Sequence, residues 1–191
     1  MKRLARCLLA VCLGLTFLAV AAQSQTPQQE SPAIPAPPPA RPADVASPDA
    51  ILAATYDVIS GPAGQKRDWD RFRSLFAPGA RLIPVNESKT GGFVARTLSP
   101  DEYAARAEPY FEKNGFTERE IARRTERWGN ILQAFSTYES RHDAKDPAPF
   151  ERGINSFQLY FDGKRWWVMT IMWQGETPAT PLTPEFLRSH P

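Results

Sequence analysis

Apolar residues recur at helical spacing in three places along the first two-thirds of the chain, and later give way to alternation. Ser47-Pro48-Asp49 supplies an N-cap, a proline at the first helical position and an acid in the first turn. Ile51, Thr55, Val58 and Ile59 follow on one helical face until Gly61-Pro62 ends the run. A second helix is predicted from about Arg67 to Phe76, with Trp69, Phe72, Leu75 and Phe76 together, stopped by Ala77-Pro78-Gly79. Short strands are predicted at Ala80 to Val85 and near Phe93 to Leu98, joined by a polar loop through Gly91-Gly92. Ser99-Pro100-Asp101-Glu102 is a capping box, and it opens a third helix with Tyr103, Ala107, Tyr110 and Phe111 inward, ending at Asn114-Gly115.

From Thr117 to Trp128 the pattern is ambiguous. Thr117-x-x-Glu120 would cap a helix, whereas Ile121, Arg123-Arg124 and Thr125 suit a long exposed strand; the strand is preferred because β-rich sequence follows. Ile131 to Arg141 alternates as a strand, and Gly153 to Trp173 reads as a hairpin closed by Asp162-Gly163. A two-residue turn there pairs Phe161 with Lys164, Leu159 with Trp166, Phe157 with Val168 and Asn155 with Thr170. These residues share one face, apolar near the turn and polar at its Asn155/Thr170 end.

The ends change the picture of where the chain works. Lys2, Arg3 and Arg6 precede an apolar run from Cys7 to Ala22, and Ala19-Val20-Ala21 offers signal peptidase its small-x-small site. Residues 1–22 are therefore expected to be a secretory signal, with a periplasmic or secreted product that meets the membrane only transiently during export. An uncut anchor would need about 20 apolar residues, and this run is shorter. A lipid anchor at Cys12 would want a small residue where Val11 stands. Both cysteines of the chain, Cys7 and Cys12, lie in the signal, so the mature protein has no disulfide, thiolate nucleophile or cysteine-ligated metal. Lys and Arg number 23 against 21 Asp and Glu; removing Lys2, Arg3 and Arg6 leaves 20 against 21, which gives no electrostatic ground for nucleic-acid binding. Residues 23–47 form a proline-rich linker, 48–177 the ordered domain, and 178–191 a proline-rich flexible tail from which Phe186 and Leu187 can dock.

The stretch Trp69-Asp70-Arg71-Phe72-Arg73-Ser74-Leu75-Phe76-Ala77-Pro78-Gly79-Ala80 and the hairpin segment Gly163-Lys164-Arg165-Trp166-Trp167-Val168 resemble the nuclear-transport-factor-2-like (SnoaL-like) superfamily. Phe135 to Arg141 and Arg152-Gly153-Ile154-Asn155-Ser156 are similar to exported bacterial members without assigned chemistry. The resemblance implies an α+β, cystatin-like fold: a cone-shaped, curved antiparallel sheet wrapped around about three N-terminal helices, with a pocket inside. It also implies a homodimer through the outer sheet face.

Enzymes of that superfamily include ketosteroid isomerases, polyketide cyclases, limonene-epoxide hydrolases and scytalone dehydratases. The isomerases and cyclases need a carboxylate base in an apolar pocket with hydroxyl donors opposite. No acid stands out for that task; Asp57 and Asp70 read as surface or capping charges. Tyr56, Tyr103, Asn155 and Thr170 are the candidate ligand-binding groups, unless the tyrosine hydroxyls reach the surface and Asn155 and Thr170 satisfy backbone. Glu139, Arg141 and His142 form either a pocket-rim cluster or a solvated salt bridge. His142 and His190 stand too far apart to suggest a metal site, and no cofactor is implied. Two functions stay open: an exported module binding a small apolar molecule or dimerising, and a lyase or isomerase using a pocket carboxylate with tyrosines. An acid buried against Tyr56 or Tyr103 beside an open cavity would favour the second.

Overall fold

The computed structural model describes residues 36–189. The expected signal and the first part of the proline-rich linker lie outside the described residues, as does His190. Among the described residues three α-helices come early: α1 (Pro48–Ile59), α2 (Trp69–Ser74) and α3 (Pro100–Asn114). Six strands make one sheet: β1 (Phe76–Glu87), β2 (Phe93–Ala95), β3 (Thr117–Trp128), β4 (Ile131–Arg141), β5 (Glu151–Phe161) and β6 (Trp166–Gly175). Their order is β2-β1-β6-β5-β4-β3, antiparallel throughout except for the parallel pair β1/β6. This is an α+β fold with a curved sheet whose inner face carries α1 and α3. No helix among the described residues is long and apolar enough to cross a membrane.

Local chemistry accounts for the helix starts. Ser47 Oγ accepts from the Ala50 amide at 3.1 Å, Asp68 Oδ1 accepts from the Arg71 amide at 2.9 Å, and Ser99 and Glu102 cap each other's amides reciprocally. The second helix is shorter than its apolar spacing suggests. Phe76 already pairs with Val168, and Ala77-Pro78-Gly79 sits inside β1 as an irregularity between Phe76 and Arg81. The ambiguous stretch Thr117–Trp128 is a strand along its whole length.

The β5/β6 hairpin departs from the expected register. Its loop has four residues, because Asp162 Oδ1 accepts from the amides of both Lys164 and Arg165 at 2.8 Å while Oδ2 accepts from Trp167 Nε1 at 2.7 Å. Phe161 therefore pairs with Trp166 and Leu159 with Val168. A bulge at Gln158/Leu159 then shifts the register again, to Gln158 with Thr170, Phe157 with Ile171 and Asn155 with Trp173. Thr170 is thereby turned to the outer face beside exposed Gln158, and Ile171 and Trp173 take the inner positions.

Packing starts earlier than residue 48. A 3-10 turn at Pro42–Val45 buries Val45 in the core, and Asp44 receives Arg71 Nε at 2.7 Å and Nη2 at 3.0 Å. At the other end, the 3-10 turn Pro184–Phe186 lies on the outer sheet face. There Phe186 meets the Phe135 ring at 6.2 Å, receives the Arg124 guanidinium at 5.5 Å, and accepts the Thr137 hydroxyl on its carbonyl.

Candidate functional site

Between the helices and the concave sheet lies a cavity of about 360 Å³. Helical spacing on α3 sends Tyr103, Ala107 and Tyr110 toward it, and strand alternation on β4 sends Tyr138 and Ser140 the same way. Phe72, Phe157, Ile171 and Trp173 make much of the wall apolar, while Tyr56, Tyr103, Glu118, Tyr138 and Asn155 bring polar groups to it. An apolar pocket of this size with a few convergent polar groups is the usual form of a small-molecule site.

Glu118 of β3 is the chemical centre. It is half-buried and lines the cavity. Burial pushes its carboxyl up to about 7, against the two donors that favour its charge: Ser140 Oγ gives Oε2 a hydrogen bond at 2.8 Å and Asn155 Nδ2 gives one to Oε1 at 3.2 Å. Asn155 also donates to the Tyr56 hydroxyl at 3.1 Å, and that hydroxyl lies 2.6 Å from Ser136 Oγ, which donates to Glu120. Burial, with the nearby Glu118 charge second, raises the Tyr56 phenol well above its ordinary value.

Two more cavity tyrosines, Tyr138 and Tyr103, differ in their commitments. The Tyr138 hydroxyl donates to Glu151 Oε1 at 2.5 Å; burial first, and that bond next, hold its proton firmly. Tyr103 is wedged by its ring against Phe72 at 5.4 Å and Trp173 at 6.0 Å. Burial, then the facing Glu118 charge, raises its phenol, and among the described residues its hydroxyl has no protein partner. Of the hydroxyls of Tyr56, Tyr103 and Tyr138, that of Tyr103 is the one free to donate into the cavity; Tyr110, the fourth tyrosine of the lining, is 44% exposed.

Three of the four ligand-binding candidates from the sequence, Tyr56, Tyr103 and Asn155, line this cavity; Thr170 does not, because of the β6 bulge. Nor do the rim candidates. Glu139 and Arg141 alternate with Tyr138 and Ser140 and so face the outside of the sheet, where Glu139 is paired with Arg141 and, at 2.5 Å, with Arg119. Those guanidiniums, Arg141 first, hold the Glu139 carboxyl below its ordinary range. His142, just past the end of β4, is stacked 4.4 Å from Phe150 and outside the cavity lining. Among the described residues no group of His, Cys, Asp and Glu is placed to hold a metal ion. Glu118, Tyr138 and Ser140 were not marked by the sequence reading. Alternation along Ile131 to Arg141 puts Ser136, Tyr138 and Ser140 on one face, a signal that was available for the last two.

No family model and no curated protein matches the chain. Its fold is the nuclear-transport-factor-2-like, cystatin-like one. A protein of unknown function with a cystatin-like fold from Nostoc punctiforme aligns at TM-score 0.50 with 11% identity, covering 70% of this chain and 90% of that one. A nuclear-transport-factor-2-like protein of unknown function from Pseudomonas putida aligns at 0.51 with 10% identity, covering 70% and 92%. Another such protein with a cystatin-like fold, from Novosphingobium aromaticivorans, aligns at 0.51 with 12% identity, covering 68% and 81%. At these identities the likeness is one of fold alone.

Proposed function

We propose that the cavity binds a small, largely apolar molecule carrying a carbonyl group, and that Glu118 moves a proton on it, as an isomerase or lyase does. The observation that carries this reading is a carboxyl lining an apolar cavity with its titration brought up to about 7. Burying a carboxylate costs free energy that a passive binding pocket has no need to incur. A general base works best when its pKa lies near the operating pH, which is where burial puts Glu118. Tyr103 supplies a free hydroxyl for the carbonyl oxygen, and the surrounding aromatic rings give the ligand apolar walls. The expected export signal would deliver this domain outside the cytosol, and the cysteine-free composition of residues 13–191 suits that destination. A second copy would meet this one through the outer sheet face, where Met169 and Met172 are 40% and 42% exposed.

The test uses small cyclic ketones and enones in D₂O, with deuterium incorporation beside the carbonyl followed by proton NMR. The intact chain is expected to accelerate exchange of at least one of them, and Glu118→Gln to lose about 100-fold or more of that acceleration, the usual contribution of a positioned base. Equal exchange by chain and variant, or none above buffer, would sink the catalytic reading.

A further inference from the structure

We propose that Glu120, which does not line the cavity, is a positioning residue for Glu118: its carboxylate sets the direction of every hydrogen bond between the two acids and so keeps an Asn155 N–H aimed at Glu118. The inference rests on Glu118 as the proton-handling group only for its catalytic consequence; the hydrogen-bond chain itself is read from the fold.

Arg123 grips Glu120 with Nε at 3.0 Å from each oxygen and Nη2 at 2.7 Å from Oε1, and is itself tied to Asp49 at 2.5 Å. An ionised carboxylate only accepts, so the Ser136 hydroxyl must point its single hydrogen at Glu120 Oε2. The 2.6 Å contact between Tyr56 and Ser136 then has only one polarity: Tyr56 donates and Ser136 accepts. The Tyr56 oxygen is left to accept, and it takes one hydrogen of Asn155 Nδ2 at 3.1 Å. The second hydrogen of that same nitrogen goes to Glu118 Oε1 at 3.2 Å. Reversing the Tyr56–Ser136 link would free the Tyr56 hydrogen to turn toward Asn155. The amide would then have to turn its carbonyl oxygen toward Tyr56 and toward Glu118, an oxygen against a carboxylate. Ionised Glu120 thus removes Tyr56 as a donor to any ligand and stabilises the Glu118 anion from behind.

Other titratable groups line the cavity with Glu118: Tyr56 on α1, Tyr103, Arg106 and Tyr110 on α3, Tyr138 on β4 and Glu151 on β5. Glu151 adds a like charge and opposes ionisation of Glu118, after burial as the larger cause. Of these groups only Tyr56 belongs to the chain of bonds that reaches Glu120.

Direct repulsion and the hydrogen-bond chain predict opposite signs, which makes the test decisive. By charge alone, Glu120→Gln removes a negative neighbour and lowers the Glu118 midpoint. Through the chain, it releases the polarity and raises that midpoint. Ser136→Ala changes no charge at all: repulsion predicts no shift, whereas the chain predicts a rise. The experiment is a carbon-13 carboxyl NMR titration of Glu118 in the ligand-free intact chain, Ser136→Ala and Glu120→Gln. An upward shift of about one unit in Ser136→Ala is expected, the size of a weakened charge-assisted hydrogen bond. An unchanged or lowered midpoint in Ser136→Ala overturns the proposal even if Glu120→Gln, which leaves Arg123 under-compensated, fails to fold. Because no ligand is present, failure of the proposed activity and failure of this inference are read separately.

Discussion

At the scale of single residues, Glu118 matters most because its two environments disagree. Ser140 and Asn155 favour the anion, and the surrounding protein disfavours it more strongly, moving the carboxyl from its usual 4.5 to about 7. Between those values the folded chain keeps a proton that the unfolded chain has released. Stability from this group is therefore full below about pH 4.5 and lost as pH rises through about 7, an amount of about 3 kcal/mol. The carboxylates held low by guanidiniums, Asp44 by Arg71 and Glu139 by Arg141 and Arg119, act in the opposite sense and at more acid pH. Subtracting the urea-unfolding curves of Glu118→Gln from those of the intact chain isolates the one group. The difference is expected to fall steadily from pH 4.5 to 7 and to flatten beyond; a difference independent of pH would mean that Glu118 titrates as an ordinary carboxyl.

At the scale of elements, two one-residue bulges decide which side chains enter the cavity. Pairing carried straight on from Trp128 and Ile131 would set Glu118 opposite Arg141, on the outer face. The irregularity between Glu120 and Ala122 sets it opposite Ser140 instead, and turns Glu118 and Glu120 inward. The β6 bulge does the same for Ile171 and Trp173 and removes Thr170. This is why helix caps, strand positions and three cavity residues could be read from the sequence while the central acid could not. Caps and alternation are local, whereas a bulge appears only once the partner strand is in place. Asp162-Gly163 misled in the same way, since the Asp162 side chain completes a longer loop than the dipeptide implies. Gly153 shows how closely β5 and β6 then approach: a Cβ there would stand 2.3 Å from the Gln174 carbonyl oxygen and 2.7 Å from the Tyr138 hydroxyl. Gly153→Ala is expected to cost about 1–3 kcal/mol by overpacking, measured by urea unfolding. It should also break the Tyr138–Glu151 bond, visible as loss of a downfield, slowly exchanging Tyr138 hydroxyl proton by NMR. A variant as stable as the parent would show that the two strands can part without cost.

Over the whole molecule, the segments outside the sheet and helices act as fasteners. Asp44 ties the N-terminal turn to α2 through Arg71, and at the other end Glu176 pairs with Arg152 at 2.7 Å and accepts the Leu182 amide at 2.9 Å. From there the chain crosses the outer sheet face to place Phe186 on Phe135, forming the roof of a second hollow of about 280 Å³ that also includes Ile154, Met172 and Leu182. The face proposed to meet a second copy is therefore shared with the chain's own tail, which leaves Met169 and part of Met172 outside. Ending the chain after Glu176 would expose Phe135 and the rest of that hollow to water, widening the apolar patch. Losing the partly buried Phe186 and Leu182 contacts should remove about 1–2 kcal/mol, which for a domain of this size lowers the thermal midpoint by a few degrees. The wider patch should also raise self-association, read as a higher mass by light scattering after size exclusion at matched concentration. If midpoint and mass both stay at those of the full chain, the tail neither fastens the fold nor screens the face.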